Sequence, residues 1–157
     1  MKKAVLILLT AITVISCGDD DSVKQPDILG TYKLVHLETS NAVDLNNDGI
    51  STTDLISESG CYNSSSLTLQ SGNTAILRMQ SIDVEYISTD DTGENYDALV
   101  ECLDAEEEAA TYTFANGIIN LAVGDLNIEF SRSGNRIFCS QTGDDEFGAL
   151  YLIYERQ

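Results

Sequence analysis

The run Asp44-Leu45-Asn46-Asn47-Asp48-Gly49-Ile50-Ser51-Thr52-Thr53-Asp54 sets oxygen-bearing side chains at alternate places, at Asp44, Asn46 and Asp48. If the backbone curls, those oxygens converge on one point, and Gly49 permits the sharp bend that a calcium loop needs. The Ile50 carbonyl adds another oxygen and Asp54 closes the shell, so Asp44, Asn46, Asp48, Ile50 and Asp54 are the candidate Ca2+ ligands. A full-length calcium loop between two helices ends on a bidentate Glu at its twelfth place. Here that place holds Leu55, with Asp54 one residue early. The loop therefore reads as a shortened one of reduced charge, similar to other shortened calcium loops. Asp, Asn and Gly also favour turns on their own account, so a plain Asp/Asn-rich turn is the alternative.

Little else in the chain has the companions that chemistry needs. His36 is the only histidine and has no partner motif, which suits a hydrogen-bonded strand residue better than a general base. Cys139 follows Ile137 and Phe138 and reads as a buried small hydrophobe rather than a reactive thiol. Glu106-Glu107-Glu108 and Asp144-Asp145-Glu146 read as solvated faces, and no pair among the 26 acidic residues stands out as a glycosidase pair. The absence of any CxxC or CxxH pair argues against structural zinc. The reading is accordingly non-enzymatic.

The first residues address the compartment. Lys2 and Lys3, then an apolar run from Ala4 to Ile15, then the small Ser16, have the grammar of a secretory signal over 1–16. The run falls short of the roughly 20 residues of a spanning helix. Val14-Ile15-Ser16-Cys17 resembles the bacterial lipobox, which implies that Cys17 is lipidated and becomes the first residue of the mature chain. Several acyl chains attach a protein stably where a single chain does not. Residues 17–27 are polar and acidic and contain the sole proline, Pro26, as suits a tether between lipid and domain.

Removing Lys2 and Lys3 leaves 8 − 2 = 6 basic against 26 acidic residues, a mature net charge of 6 − 26 = −20. Such a polyanion is repelled by nucleic acid and anionic headgroups, so nucleic-acid binding is excluded. A hydrophobic content of 43% nevertheless supplies enough apolar surface to fold. The remaining 28–157 make one domain of ordinary size.

Within that domain the dominant pattern is period-two alternation in short runs, the signature of antiparallel strands. Gly30 to Leu37 forms the first run, with His36 on the side of Tyr32 and Leu34. Leu67–Leu69 and Ala75–Met79 flank Ser71-Gly72-Asn73; Thr111–Phe114 and Ile118–Ala122 flank Asn116-Gly117, both hairpin signals. Ile82, Val84 and Tyr86 alternate with polar neighbours. Leu126, Ile128 and Phe130 alternate likewise before Ser133-Gly134-Asn135 turns into Arg136–Ser140, and the chain closes on Leu150, Leu152 and Tyr154. About eight or nine strands at meander spacing imply an all-β, antiparallel up-and-down sheet, closed or nearly closed into a barrel that hides its edges. Asp54–Ser59 has room for one helical turn capped by Asp54. Residues 95–110, with Ala98, Leu99, Cys102 and Leu103 at helical spacing, read as either a short amphipathic helix or a long acidic loop.

The lipobox, the acidic tether, Leu29-Gly30-Thr31-Tyr32-Lys33-Leu34 as first strand, the Asp44–Gly49 loop, a cysteine before the next strand and the Tyr/Phe-rich meander together resemble the lipocalin-like lipoproteins of Bacteroidetes. The resemblance implies a calycin-type barrel, an outer-membrane lipoprotein facing the periplasm or the outer surface, and a disulfide between Cys61 and Cys102. Tyr32 stands where the lipocalin first strand carries tryptophan, and this chain has none. A smaller, more polar ring is therefore expected to close the barrel base.

Two functions fit this expectation. One is a monomeric, lipid-tethered binding protein with a small apolar or amphipathic molecule at the barrel mouth. The other is a cell-surface interaction protein that presents loops to protein or glycan partners. The filling of the barrel separates them: inward residues such as Leu126, Ile128 and Phe130 either fill the interior or line a void of roughly 300 Å³ or more.

Overall fold

The alternation becomes sheet almost throughout. The computed structural model describes residues 27–92, 95–143 and 146–157. The expected signal segment, Cys17 and all of the tether except Asp27 lie outside the described residues. Among the described residues there come, in chain order, β1 (Gly30–Val43), β2 (Thr52–Asp54), a short helix α1 (Leu55–Ser59), β3 (Ser66–Leu69), β4 (Thr74–Met79), β5 (Ile82–Ser88) and β6 (Tyr96–Cys102). Then follow β7 (Glu106–Ala115), β8 (Ile118–Val123), β9 (Leu126–Ser133), β10 (Arg136–Thr142) and β11 (Ala149–Arg156).

Eight strands form the barrel, in the order β1-β3-β4-β7-β8-β9-β10-β11, and β11 pairs back onto β1 from Tyr32↔Arg156 to Thr39↔Leu150. Closure leaves the barrel without a free edge. β2 is an extra strand on the upper half of β1, and β5 and β6 make a separate two-stranded hairpin. The fold is the expected all-β barrel with one short helix. Its tight turns sit where turn chemistry placed them: Asn116 and Gly117 both take positive φ, as a two-residue hairpin demands.

Side chains fill the barrel. Tyr32, Leu67, Ile119, Leu121, Phe130, Ile137 and Tyr154 are almost wholly buried, and Phe130 meets Tyr154 edge-on at 5.9 Å between ring centroids. Burying each large apolar side chain contributes about 1.5–3 kcal/mol. The base is closed by Tyr32, whose hydroxyl donates to the Ile28 carbonyl at 2.9 Å. Arg156 lies over it and bonds Asp27 at 3.0 Å. Gly30 has φ +133, and a Cβ there would stand 3.2 Å from Arg156 Nε, so a side chain would both strain the backbone and crowd the guanidinium.

Three expectations change. Residues 95–110 are neither helix nor loop: Tyr96–Cys102 is β6, laid against β5 from Ser88↔Tyr96 to Ile82↔Cys102, and Glu106 already begins β7. Ala98, Val100 and Cys102 also satisfy a period of two, and the hydrogen-bonding partner supplied by β5 decides between the periods. His36 leaves the Tyr32 and Leu34 side, because a register shift between Leu34 and His36 hands the inner face to Leu37 and Thr39. His36 Nε2 instead meets Glu38 at 2.9 Å. Leu126 shares the inner side of β9 with Phe130 yet is 66% exposed, because it sits at the rim.

Candidate functional site

The two barrel ends differ in how they are finished. At the base, short turns and the Asp27–Arg156 pair seal the interior. At the other end lie the β8–β9 turn, the β10–β11 loop, the 44–65 insertion and the β5–β6 hairpin. The hairpin leaves the barrel between β4 and β7 and reaches the opposite wall. Its Tyr86 hydroxyl donates to the Glu146 carboxylate in the β10–β11 loop. Four strands separate root and contact in either direction around the barrel, so the hairpin crosses the mouth.

Three attachments hold it there. The disulfide Cys61–Cys102 ties its outgoing end to the segment after α1, which is the pairing the resemblance implied. Asn47 lies beside its middle, donating from Nδ2 to the Ala98 carbonyl at 2.8 Å and accepting the Ala98 amide at 2.7 Å. Tyr86 is the third, its phenol pushed up to about 12, first by burial and then by the hydrogen bond and charge of Glu146. The partly buried Ile82, Val84 and Val100 pack towards the core, while Ile87 and Leu99 on the other face stay about half exposed.

Beside the hairpin root a pocket of about 220 Å³ remains open at the mouth. Leu77, Met79, Val123, Leu126 and Ile128 make its apolar wall, and Glu106 and Glu108 project into it. The ladder explains why: Leu77 opposes Glu108 and Met79 opposes Glu106 on one face of the β4–β7 pair, so alternation turns both carboxylates inward. Glu107 points outward and meets Arg78 at 2.7 Å. All three glutamates are exposed, as expected of a solvated run, but on two faces: Glu107 on the outer wall, Glu106 and Glu108 at the open mouth. A larger depression of about 520 Å³ lies on the outer wall where β9 and β10 part after Phe138↔Ser131. Phe138 and Tyr151 stack along it at 6.5 Å, but it spreads over the surface instead of converging on a few polar groups.

The expected metal ligands are partly gathered. Asp44 accepts the Asp48 amide at 3.2 Å and the Gly49 amide at 2.9 Å. Asn46 accepts the Asp48 amide at 2.9 Å, and Asp48 accepts the Ile50 amide at 2.8 Å. The loop curls, with Asp44, Asn46 and Asp48 along its inside. Asp54 has other work: it caps α1 by accepting the Ser57 amide at 3.2 Å. Among the described residues no three of the His, Cys, Asp or Glu type stand together as a metal group. A cation here would use two carboxylates, Asn46 and main-chain oxygens such as that of Ile50. Each carboxylate oxygen that accepts an amide keeps a lone pair for such a contact.

Glu58 is a residue that sequence reasoning passed over. It is buried on α1, accepting the Leu45 amide at 3.1 Å and the Thr52 hydroxyl at 2.9 Å, and so clamps both ends of the loop. Only its place on the inner face of α1 could have revealed it. Among the described residues Cys139 is the free cysteine; it is buried, and burial pushes its thiol up to about 12. A scan of the sequence against protein-family models finds no match, and a search of curated proteins finds no relative.

Proposed function

We propose that this chain is a lipid-tethered, non-enzymatic binding protein of the bacterial outer membrane that holds a small apolar or amphipathic molecule at its barrel mouth. The observation that carries this reading is the pocket between β4, β7, β8 and β9, where an apolar wall meets two inward carboxylates at the open end of an otherwise filled barrel. The barrel interior is filled and the pocket falls below the roughly 300 Å³ expected of an interior ligand cup, so the reading is confined to the mouth and to a short chain or single ring. The lipobox around Cys17 and the resemblance to lipocalin-like lipoproteins support the anchoring and the class. The non-enzymatic reading rests on His36 being engaged with Glu38 and on Cys139 being buried.

Calcium at Asp44, Asn46 and Asp48 has a supporting role in this proposal. It stiffens the loop whose Asn47 holds the hairpin over the mouth.

Mass spectrometry of small molecules extracted from protein purified out of its native membrane tests the reading. Recovery of one small amphipathic species, lost when Ile128 is replaced by Trp to fill the pocket, is the expected result. The same species recovered from the filled variant would count against the mouth. Replacement of Cys17 by Ala is expected to abolish lipid labelling and detergent partitioning.

A second reading has its own support. Ile50, Tyr86, Ile87, Tyr96 and Leu99, all large and exposed, lie on the hairpin and the neighbouring loop. Grouped exposed apolar residues mark contact surfaces, so an interaction protein that presents this end to a partner is the alternative function.

A further inference from the structure

The mouth pocket is apolar on one side and bears two carboxylates on the other, and its charge is not answered from within the described residues. The three successive glutamates of β7 make the contrast. Glu107, on the outer face, has Arg78. Glu106 and Glu108, on the inner face, make no ion pair with any described residue, although they flank Glu107 in sequence.

The other described arginines are engaged elsewhere, Arg132 and Arg156 with Asp27 at the base and Arg136 with Glu155 on the outer wall, and Lys33 is exposed on the outer face of β1. None reaches the pocket wall of Leu77, Met79, Val123, Leu126 and Ile128. A net charge of −18 on the whole chain adds a field of the same sign. Such a field in a concave site raises the local concentration of cations and repels anions. An anionic amphiphile such as a fatty acid would set its headgroup against Glu106 and Glu108 and is disfavoured.

We infer that the ligand of the mouth pocket is a small amphipathic cation, an alkyl or aryl amine whose apolar part lies on Leu77, Met79, Val123, Leu126 and Ile128 while its ammonium group sits between Glu106 and Glu108. This inference rests on the binding reading proposed above and adds the charge of the ligand. The ammonium suits the site because it is a compact charge with several donors that two carboxylates can share.

Three probes of one chain length separate the two claims: hexylammonium, hexanol and hexanoate, titrated into the full chain in EDTA while backbone and methyl NMR shifts are followed. The expected result is saturable shifts at Leu77, Val123 and Ile128 with hexylammonium. Hexanol should bind about fivefold more weakly, and hexanoate more weakly still. Added salt should lower the affinity for the amine and leave that for the alcohol unchanged. The Glu106→Gln, Glu108→Gln double variant should lose the preference for the amine and keep hexanol binding. Equal binding of amine and alcohol at the pocket would overturn the cation assignment and leave the mouth site standing. Shifts scattered over the acidic surface, or no saturable binding of any probe, would overturn both.

Discussion

Asn47 and Ala98, 51 residues apart, pair as two strand residues would, the Asn47 side chain standing in for a backbone. Its amide group donates to the Ala98 carbonyl at 2.8 Å and its carbonyl accepts the Ala98 amide at 2.7 Å. Asn47 itself has φ +58, a left-handed conformation that Asn tolerates well. The central residue of the candidate calcium loop therefore carries no ligand and instead joins loop to hairpin.

Replacing Asn47 by Gly should keep the left-handed backbone but strip both bonds from the buried Ala98. The expected loss is about 1–3 kcal/mol, because the abandoned amide and carbonyl are poorly hydrated. Chemical denaturation gives the loss, and hydrogen exchange at Ala98 should quicken. Unchanged stability and exchange would show that the hairpin is held by other contacts.

The Cys61–Cys102 bridge closes a loop with a sequence separation of 41. Loop-closure entropy for that length is about 4 kcal/mol, so the Cys61→Ser, Cys102→Ser pair should unfold at a markedly lower denaturant concentration. Cys139, with its thiol pushed up to about 12 by burial, should resist alkylation in the native protein and react once it is unfolded. Peptide mapping that found Cys139 in a disulfide would contradict both statements.

Asp27 is held below its ordinary value of 3.8, first by its hydrogen bond to Arg156 and then by the charge of that guanidinium. A depressed carboxylate adds stability above the unfolded value and loses it as pH falls through the folded one. Asp27→Asn should therefore melt below the natural protein at neutral pH. The gap should close as pH falls below 3.8 and through the lower folded value, where the natural Asp27 is protonated as well. A gap independent of pH would assign the effect to something other than this ion pair.

Millimolar calcium should raise the melting temperature, and EDTA should reverse the rise. For a site of roughly 10⁻⁴ M the gain is on the order of 1.4 kcal/mol. Asp48→Ala should remove the gain. Asp54→Ala should cost stability with or without calcium, because Asp54 caps α1. Melting that ignores both calcium and EDTA would leave the loop as an Asp/Asn turn.

Much of this was legible because the signals are local. A hairpin at Asn116-Gly117 needs only neighbouring residues with positive φ between two alternating runs, and the α1 cap needs only Asp54 three residues before an amide that seeks a partner. The free Cys139 could be read from its apolar neighbours. The Cys61–Cys102 pair came from likeness to a family and not from the residues themselves.

The alternation, the turns, the charge and the class of sheet are each legible along the chain, because each is a property of a few adjacent residues or of composition. The tertiary structure decided the rest, because those properties depend on partners far along the chain. The bulge between Leu34 and His36 follows from matching β1 to β11 across more than a hundred residues, and it takes His36 off the inner face. β6 is a strand because β5 offers it a ladder, although its spacing also fits a helix. Glu106 and Glu108 face the pocket because β7 is registered against Leu77 and Met79. One residue of slip would turn Glu107 inward in their place, since side chains along a strand alternate with a period of two.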